Sequence, residues 1–189
     1  MSLKKLPLTH VLGIGVLVLT GCDDPLGLPP PVAENVVDTV TIFALQGTPI
    51  GALSGFDVTI GTGARTESDP FDIAFDIDVD GVSRIFSRGA LGLSMETGIQ
   101  SVRQGFFDID EAPVDGYSLD MPLVVGVDSV FVVRSRPFGG GCPFYLGSLP
   151  RYGKFQVLEI DTTDRRIVMQ TLVNINCGYR QLIIGLPSR

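Results

Sequence analysis

The chain contains no tryptophan and a single histidine, His10, in 189 residues. It has three lysines, and Lys4 and Lys5 both lie close to the N-terminus with His10. Residues 1–21 read as a cleaved leader, so the mature protein has no histidine and one lysine, Lys154. Without histidine, Ser-His-Asp and Cys-His catalysis and histidine-ligated zinc are excluded, and so is the commonest general base. Basic charge is also scarce. The mature chain carries 12 basic against 21 acidic side chains, a net 12 − 21 = −9. That balance excludes nucleic acid, whose phosphates require a basic footprint. It also argues against electrostatic docking on anionic lipid.

The leader has a charged start, an apolar core over Val11–Leu19 and then Leu19-Thr20-Gly21-Cys22. The apolar run is shorter than the ~20 residues needed to span a bilayer. Leu-Thr-Gly-Cys resembles the lipobox of bacterial lipoproteins, which implies lipidation at Cys22. Acyl chains are a physical anchor, at about 0.8 kcal/mol per buried CH₂. The expectation is a lipid-anchored protein of the bacterial cell envelope, periplasmic or at the cell surface. A plain signal peptide with an incidental cysteine is the alternative. Asp23 follows the anchor and does not decide which membrane holds it.

Residues 22–35, from the anchor through DDPLGLPPPVAEN, are proline-rich and read as a stiff tether. Residues 36–189 have the length of one domain. Glycine and β-branched residues are frequent, and no helical period is sustained. Short alternating runs predict an all-β fold, an antiparallel sandwich or a barrel-like meander. Predicted strands cover 36–46, 56–60, 71–79, 82–86, 124–135, 153–160, 166–174 and 179–184, with weaker signals over 90–95 and 106–109. Cys142 and Cys177 are the remaining thiols. In an oxidising compartment they are expected to pair as a disulfide, with two unpaired thiols as the alternative. Residues 137–152 gather Phe138, Phe144, Tyr145, Leu146 and Tyr152 in a loop expected to pack on its own sheet.

The stretch FDIAFDIDVDG, 71–81, carries three readings. As a calcium loop counted from Asp76, positions 3, 5 and 6 fit with Asp78, Asp80 and Gly81. Position 9 is Arg84 and position 12 is Ser87, so it is not an EF-hand. A looser calcium site on a hairpin remains open. As a strand, Phe71, Ile73, Phe75, Ile77 and Val79 share an apolar face. Asp72, Ala74, Asp76, Asp78 and Asp80 share an acidic, solvated one, and Asp80-Gly81 makes the turn. Arg84 and Arg88 are the expected partners of the acids. As a glycosidase carboxylate pair, acids at i and i+2 lie about 7 Å apart, near the inverting range, but no tryptophan is present for a sugar platform.

Several segments together resemble the HmuY-like haem-binding lipoproteins: FDIAFDI (71–77), DEAPVDGYSLD (110–120), VFVVRS (130–135) and RYGKFQVLEID (151–161). Lys154 falls on a lysine of that family's hairpin. The resemblance covers roughly residues 70–175 and implies an all-β, lipid-anchored, non-enzymatic domain. It implies binding of a small apolar ligand such as haem. The family's usual histidine ligands have no counterpart here. Met95 and Met121 are the candidate axial ligands, since a thioether is a competent haem ligand. Ordinary packing is the alternative for both. Met169 reads as structural. Arg134 and Lys154 are expected to meet the acidic strand face as ion pairs. An envelope scaffold binding a protein partner is the alternative function.

Overall fold

The computed structural model describes residues 27–143 and 146–188. The leader, Cys22 and the aromatic pair Phe144 and Tyr145 lie outside the described residues. The fold is all-β, as expected: two five-stranded antiparallel sheets packed face to face. The first sheet runs β1 (Val37–Phe43), β10 (Arg166–Asn174), β9 (Tyr152–Asp161), β8 (Val130–Arg134), β6 (Gly98–Val102). The second runs β3 (Thr62–Ala64), β2 (Gly55–Asp57), β4 (Ile73–Ile77), β5 (Ser83–Ser87), β7 (Leu123–Val124).

The main core lies between the sheets. Ile73, Phe75, Ile77 and Ile85 from one meet Phe131, Val133, Phe155 and Val157 from the other. Phe155 organises it, stacked on Phe131 at 5.2 Å and edge-on to Phe56 at 5.3 Å. The alternate residues of the first sheet are also buried. Val130, Val132, Tyr152 and Leu172 pack outward under Phe106, Ile109, Ala112 and Leu182. The sheet is therefore covered on both sides, which accounts for the nearly unbroken apolar run VFVV in β8.

The differences from expectation have local causes. The predicted strand 124–135 is cut by a turn in which Asp128 adopts a left-handed φ of 66°. Residues 90–95 and 106–109 instead contain single 3₁₀ turns, Gly89–Leu91 and Phe106–Asp108. Residues 179–184 form no strand and touch their neighbours by the isolated bridges Glu111–Gln181 and Asn35–Gly185. Strands β3 and β6 were not predicted, because TGA and GIQSV carry little alternation.

Candidate functional site

The acidic stretch becomes strand β4 and a turn. Gly81 holds φ at 78°, and the Asp78 N–H donates to Val82 O at 3.0 Å, closing the hairpin. Ile73, Phe75 and Ile77 face the main core as expected. Phe71 instead joins a small cluster with Ala64 and Ala74, and Val79 at the turn is fully exposed.

The acidic face is solvated only at its turn end, where Asp80 is exposed and Asp78 half-buried. Asp72 and Asp76 are buried, because arginines from the other sheet reach them. At one end of β4, Arg136 donates to Asp57 Oδ2 at 2.8 Å and pairs with Asp72 Oδ2 at 3.0 Å. Its own backbone N–H donates to Asp72 Oδ1 at 2.8 Å. Val58 N–H and the Thr97 hydroxyl complete the shell of Asp72. At the other end, Arg165 donates to Asp76 at 3.2 Å and to Ile77 O at 2.6 Å. The two arginines thus clamp one sheet to the other at both ends of β4. Of the expected partners, Arg84 reaches Asp78 at 3.1 Å. Arg88 instead lies over the Phe71 ring and donates to Phe71 O.

Burial pushes the Asp72 carboxyl up, against the pull of Arg136. Burial also opposes the charge of Arg136, but Asp57 and Asp72 outweigh it and its pKa rises. The half-buried Asp78 is held below its ordinary value by the Val82 N–H. These carboxylates are occupied by arginine and backbone donors. Among the described residues no group of three or more acids, cysteines or histidines is arranged to hold a metal ion.

Lys154 and Arg134 do not reach the acidic face. They lie on the first sheet and project to its outer side. Lys154 is buried there, donating to Ile109 O at 3.0 Å with its ammonium 4.8 Å from the Phe106 ring centre. Burial lowers its pKa, with Asp110 and Asp108 opposing. The Arg134 guanidinium lies over Tyr117.

Met95 and Met121 are both more than half exposed. Met95 packs beside Leu119, two residues before Met121 in the chain. A Cβ added at Gly89 would lie 2.1 Å from Leu119 O and 2.7 Å from Met95 Sδ, so the Met95 thioether and the Leu119 carbonyl both pack against that glycine. Met121, two residues further on, is anchored by its N–H to the Ser118 hydroxyl. It lines a cavity of about 420 Å³ with Ile99, Gly116 and Leu123, which Met95 does not line. Met169 is fully buried in the main core, as expected.

Cys142 and Cys177 form a disulfide, with Cα atoms 5.2 Å apart. The bond pins the glycine-rich loop beside Asn176, and Asn176 holds a segment no sequence signal placed there. Its Oδ1 accepts from the N–H groups of Val32 and Ala33, and its Nδ2 donates to Ala33 O. The Tyr179 hydroxyl donates to Pro29 O at 2.9 Å, and Asn35 donates to Gln181 O and Ile183 O. Residues 29–35, expected as a free spacer, form a strap bound to the domain. Under the pinned loop, Arg151 donates to Thr59 O and Gly140 O and stacks on Phe138. The loop aromatics Phe138 and Tyr152 therefore pack on the protein itself.

Compared with protein-family models and with curated proteins, the chain matches none.

Proposed function

We propose that the protein is a lipid-anchored lipoprotein of the bacterial cell envelope, attached through Cys22, whose HmuY-like β-sandwich binds a small apolar ligand without catalysis. The observation that carries the ligand reading is a pair of exposed methionines, Met95 packed beside Leu119 and Met121 two residues further along the chain. As a donor set they suit haem iron, and haem is the leading candidate. Bound there, haem would be held by these two side chains at an open edge, because the sandwich interior is filled by its own aromatics. A non-catalytic role is supported by the commitment of Asp57 and Asp72 to a single guanidinium. Titrating the protein with haem tests the reading. A red-shifted Soret band that is lost in Met95→Ala and in Met121→Ala is expected. An unshifted band in the parent protein rules haem out.

A second reading, an envelope scaffold for a protein partner, is favoured by one fact: Met121 lines a cavity that Met95 does not. Its sign would be a specific envelope protein cross-linking to the exposed positions around Leu119 while haem leaves no spectral trace.

A further inference from the structure

Six of the exposed aliphatic side chains gather around the strap. Val32 and Ile175 line one cavity, and Val36, Ile60 and Ile175 line the next. The bridge between Asn35 and Gly185 adds two more. Asn35 is buried, so by strand alternation its neighbours point outward, as do Ile184 and Leu186 beside Gly185. Val36 is 61% exposed, Ile184 62% and Leu186 52%. Scattered aliphatics are normal on a protein surface, but a contiguous group marks a contact.

The position of the group indicates what covers it. The strap is fixed to the domain from Pro29 onward. The seven peptide steps from Cys22 to Pro29 span at most about 25 Å even when fully extended. Glu34 and Asp38 line the same cavity as Val36 and Ile60, so this face offers aliphatic area rather than a basic footprint. We propose that the strap face, Val32, Val36, Ile60, Ile175, Ile184 and Leu186, rests on the bilayer that holds the Cys22 lipid and inserts its side chains at the headgroup level of neutral phospholipid. The docked strap then fixes the orientation of the sandwich, with the β4–β5 turn facing away from the membrane. Val79, on that turn, marks the far end, since β4 ends where Arg165 of the β9–β10 turn clamps it and β1 begins at the strap. The inference rests on the lipid anchoring proposed above.

The absence of tryptophan makes the test direct. Ile184→Trp, Val36→Trp and Val79→Trp each introduce one fluorophore into the full lipidated chain, reconstituted in phosphatidylcholine vesicles with and without brominated acyl chains. Flotation and mass spectrometry report the anchor separately. Ile184→Trp and Val36→Trp are expected to shift to the blue and lose most of their emission to bromine, and Val79→Trp to do neither. If all three stay unquenched in protein that carries lipid and floats, the strap face does not lie on the membrane and the inference falls alone. If Ile184→Trp in the chain freed of its lipid shifts to the blue with rising protein concentration in the absence of vesicles, a second copy covers the face and the inference also falls. A chain that carries no lipid and does not float defeats the anchoring reading and this inference with it.

Discussion

At the residue scale, the acidic strand shows how a surface pattern can conceal an internal one. Asp72 is fully buried and has Arg136, Val58 N–H and Thr97 as partners. Desolvation of two such charges costs several kcal/mol per ion, repaid only while every partner is present. Asp72→Ala leaves the Arg136 guanidinium with Asp57 alone and strands two backbone N–H donors. It is expected to destabilise the fold by about 3–5 kcal/mol. Asp38→Ala, whose side chain is exposed, should shift stability by no more than about 0.5 kcal/mol. Urea midpoints of the two variants check the contrast.

Lys154 is the second residue whose environment inverts a surface expectation. Its ammonium is buried over Phe106, and burial lowers its pKa below the 10.5 of an unfolded chain. Between those two values the unfolded chain binds the proton more tightly, so stability rises with pH across that window. The wild type is therefore expected to gain stability relative to Lys154→Met as the pH rises toward the 10.5 of the unfolded chain. The tyrosines Tyr117 and Tyr152, whose burial raises their pKa, work the other way near pH 10. Both variants contain them, so they cancel in the difference. Paired urea titrations at neutral pH and just below that value measure it, and a parallel pH response of the two proteins would show that the Lys154 ammonium is not shifted by folding.

At the element scale, the strands legible in the sequence were those with one dominant signal. Strand β10, Arg166–Asn174, has the bounds its pattern predicts, and β9 extends one residue further at each end. These strands sit in the middle of a sheet, where pattern and burial agree. The Asp-Gly turn was legible because its geometry is local. What escaped depended on distance along the chain. Nothing near Asp72 announces Arg136, 64 residues away, and alternation alone marks an acid as solvated. Strand β6 escaped because Gly98 packs under Tyr117, a contact that needs no side chain and leaves no pattern.

The strap escaped for the same reason. Its prolines read as a spacer, yet Asn176, some 140 residues later, supplies the hydrogen bonds that its backbone would otherwise make to water. Three of those bonds end on one side chain, at roughly 1 kcal/mol net each. Asn176→Ala is expected to release the strap without melting the sheets. Hydrogen exchange should then show the Val32 and Ala33 amides exchanging at near-free rates while those of β9 and β10 stay protected. Loss of protection across β9 and β10 as well would make Asn176 part of the core rather than a clasp for the strap.

At the scale of the whole molecule, the topology joins the ends of the chain. Val37 at the start of β1 pairs with Leu172 in β10, so the first sheet is complete only when sequence-distant segments meet. Such contact patterns fold slowly, because loop closure precedes the gain from pairing. The disulfide acts on the same balance. It closes a loop of 35 residues between the glycine-rich segment and the turn after β10, and cross-linking at that separation stabilises by about 4 kcal/mol through the unfolded chain. A domain of this length has about 5–15 kcal/mol in total, so the bond is a large fraction of its margin. The bond lies outside both aromatic cores, so the sandwich does not need it for its shape. Cys142→Ser/Cys177→Ser is therefore expected to give the same far-ultraviolet circular dichroism spectrum as the oxidised protein, with the urea midpoint lowered by an amount equivalent to about 4 kcal/mol. The variant should also lose hydrogen-exchange protection first at the strap, because Asn176 precedes Cys177 in the turn the bond secures. An unchanged midpoint would mean that the reduced chain already holds the 142–177 loop closed by its other contacts, Arg151 to Gly140 and Thr59 foremost among them.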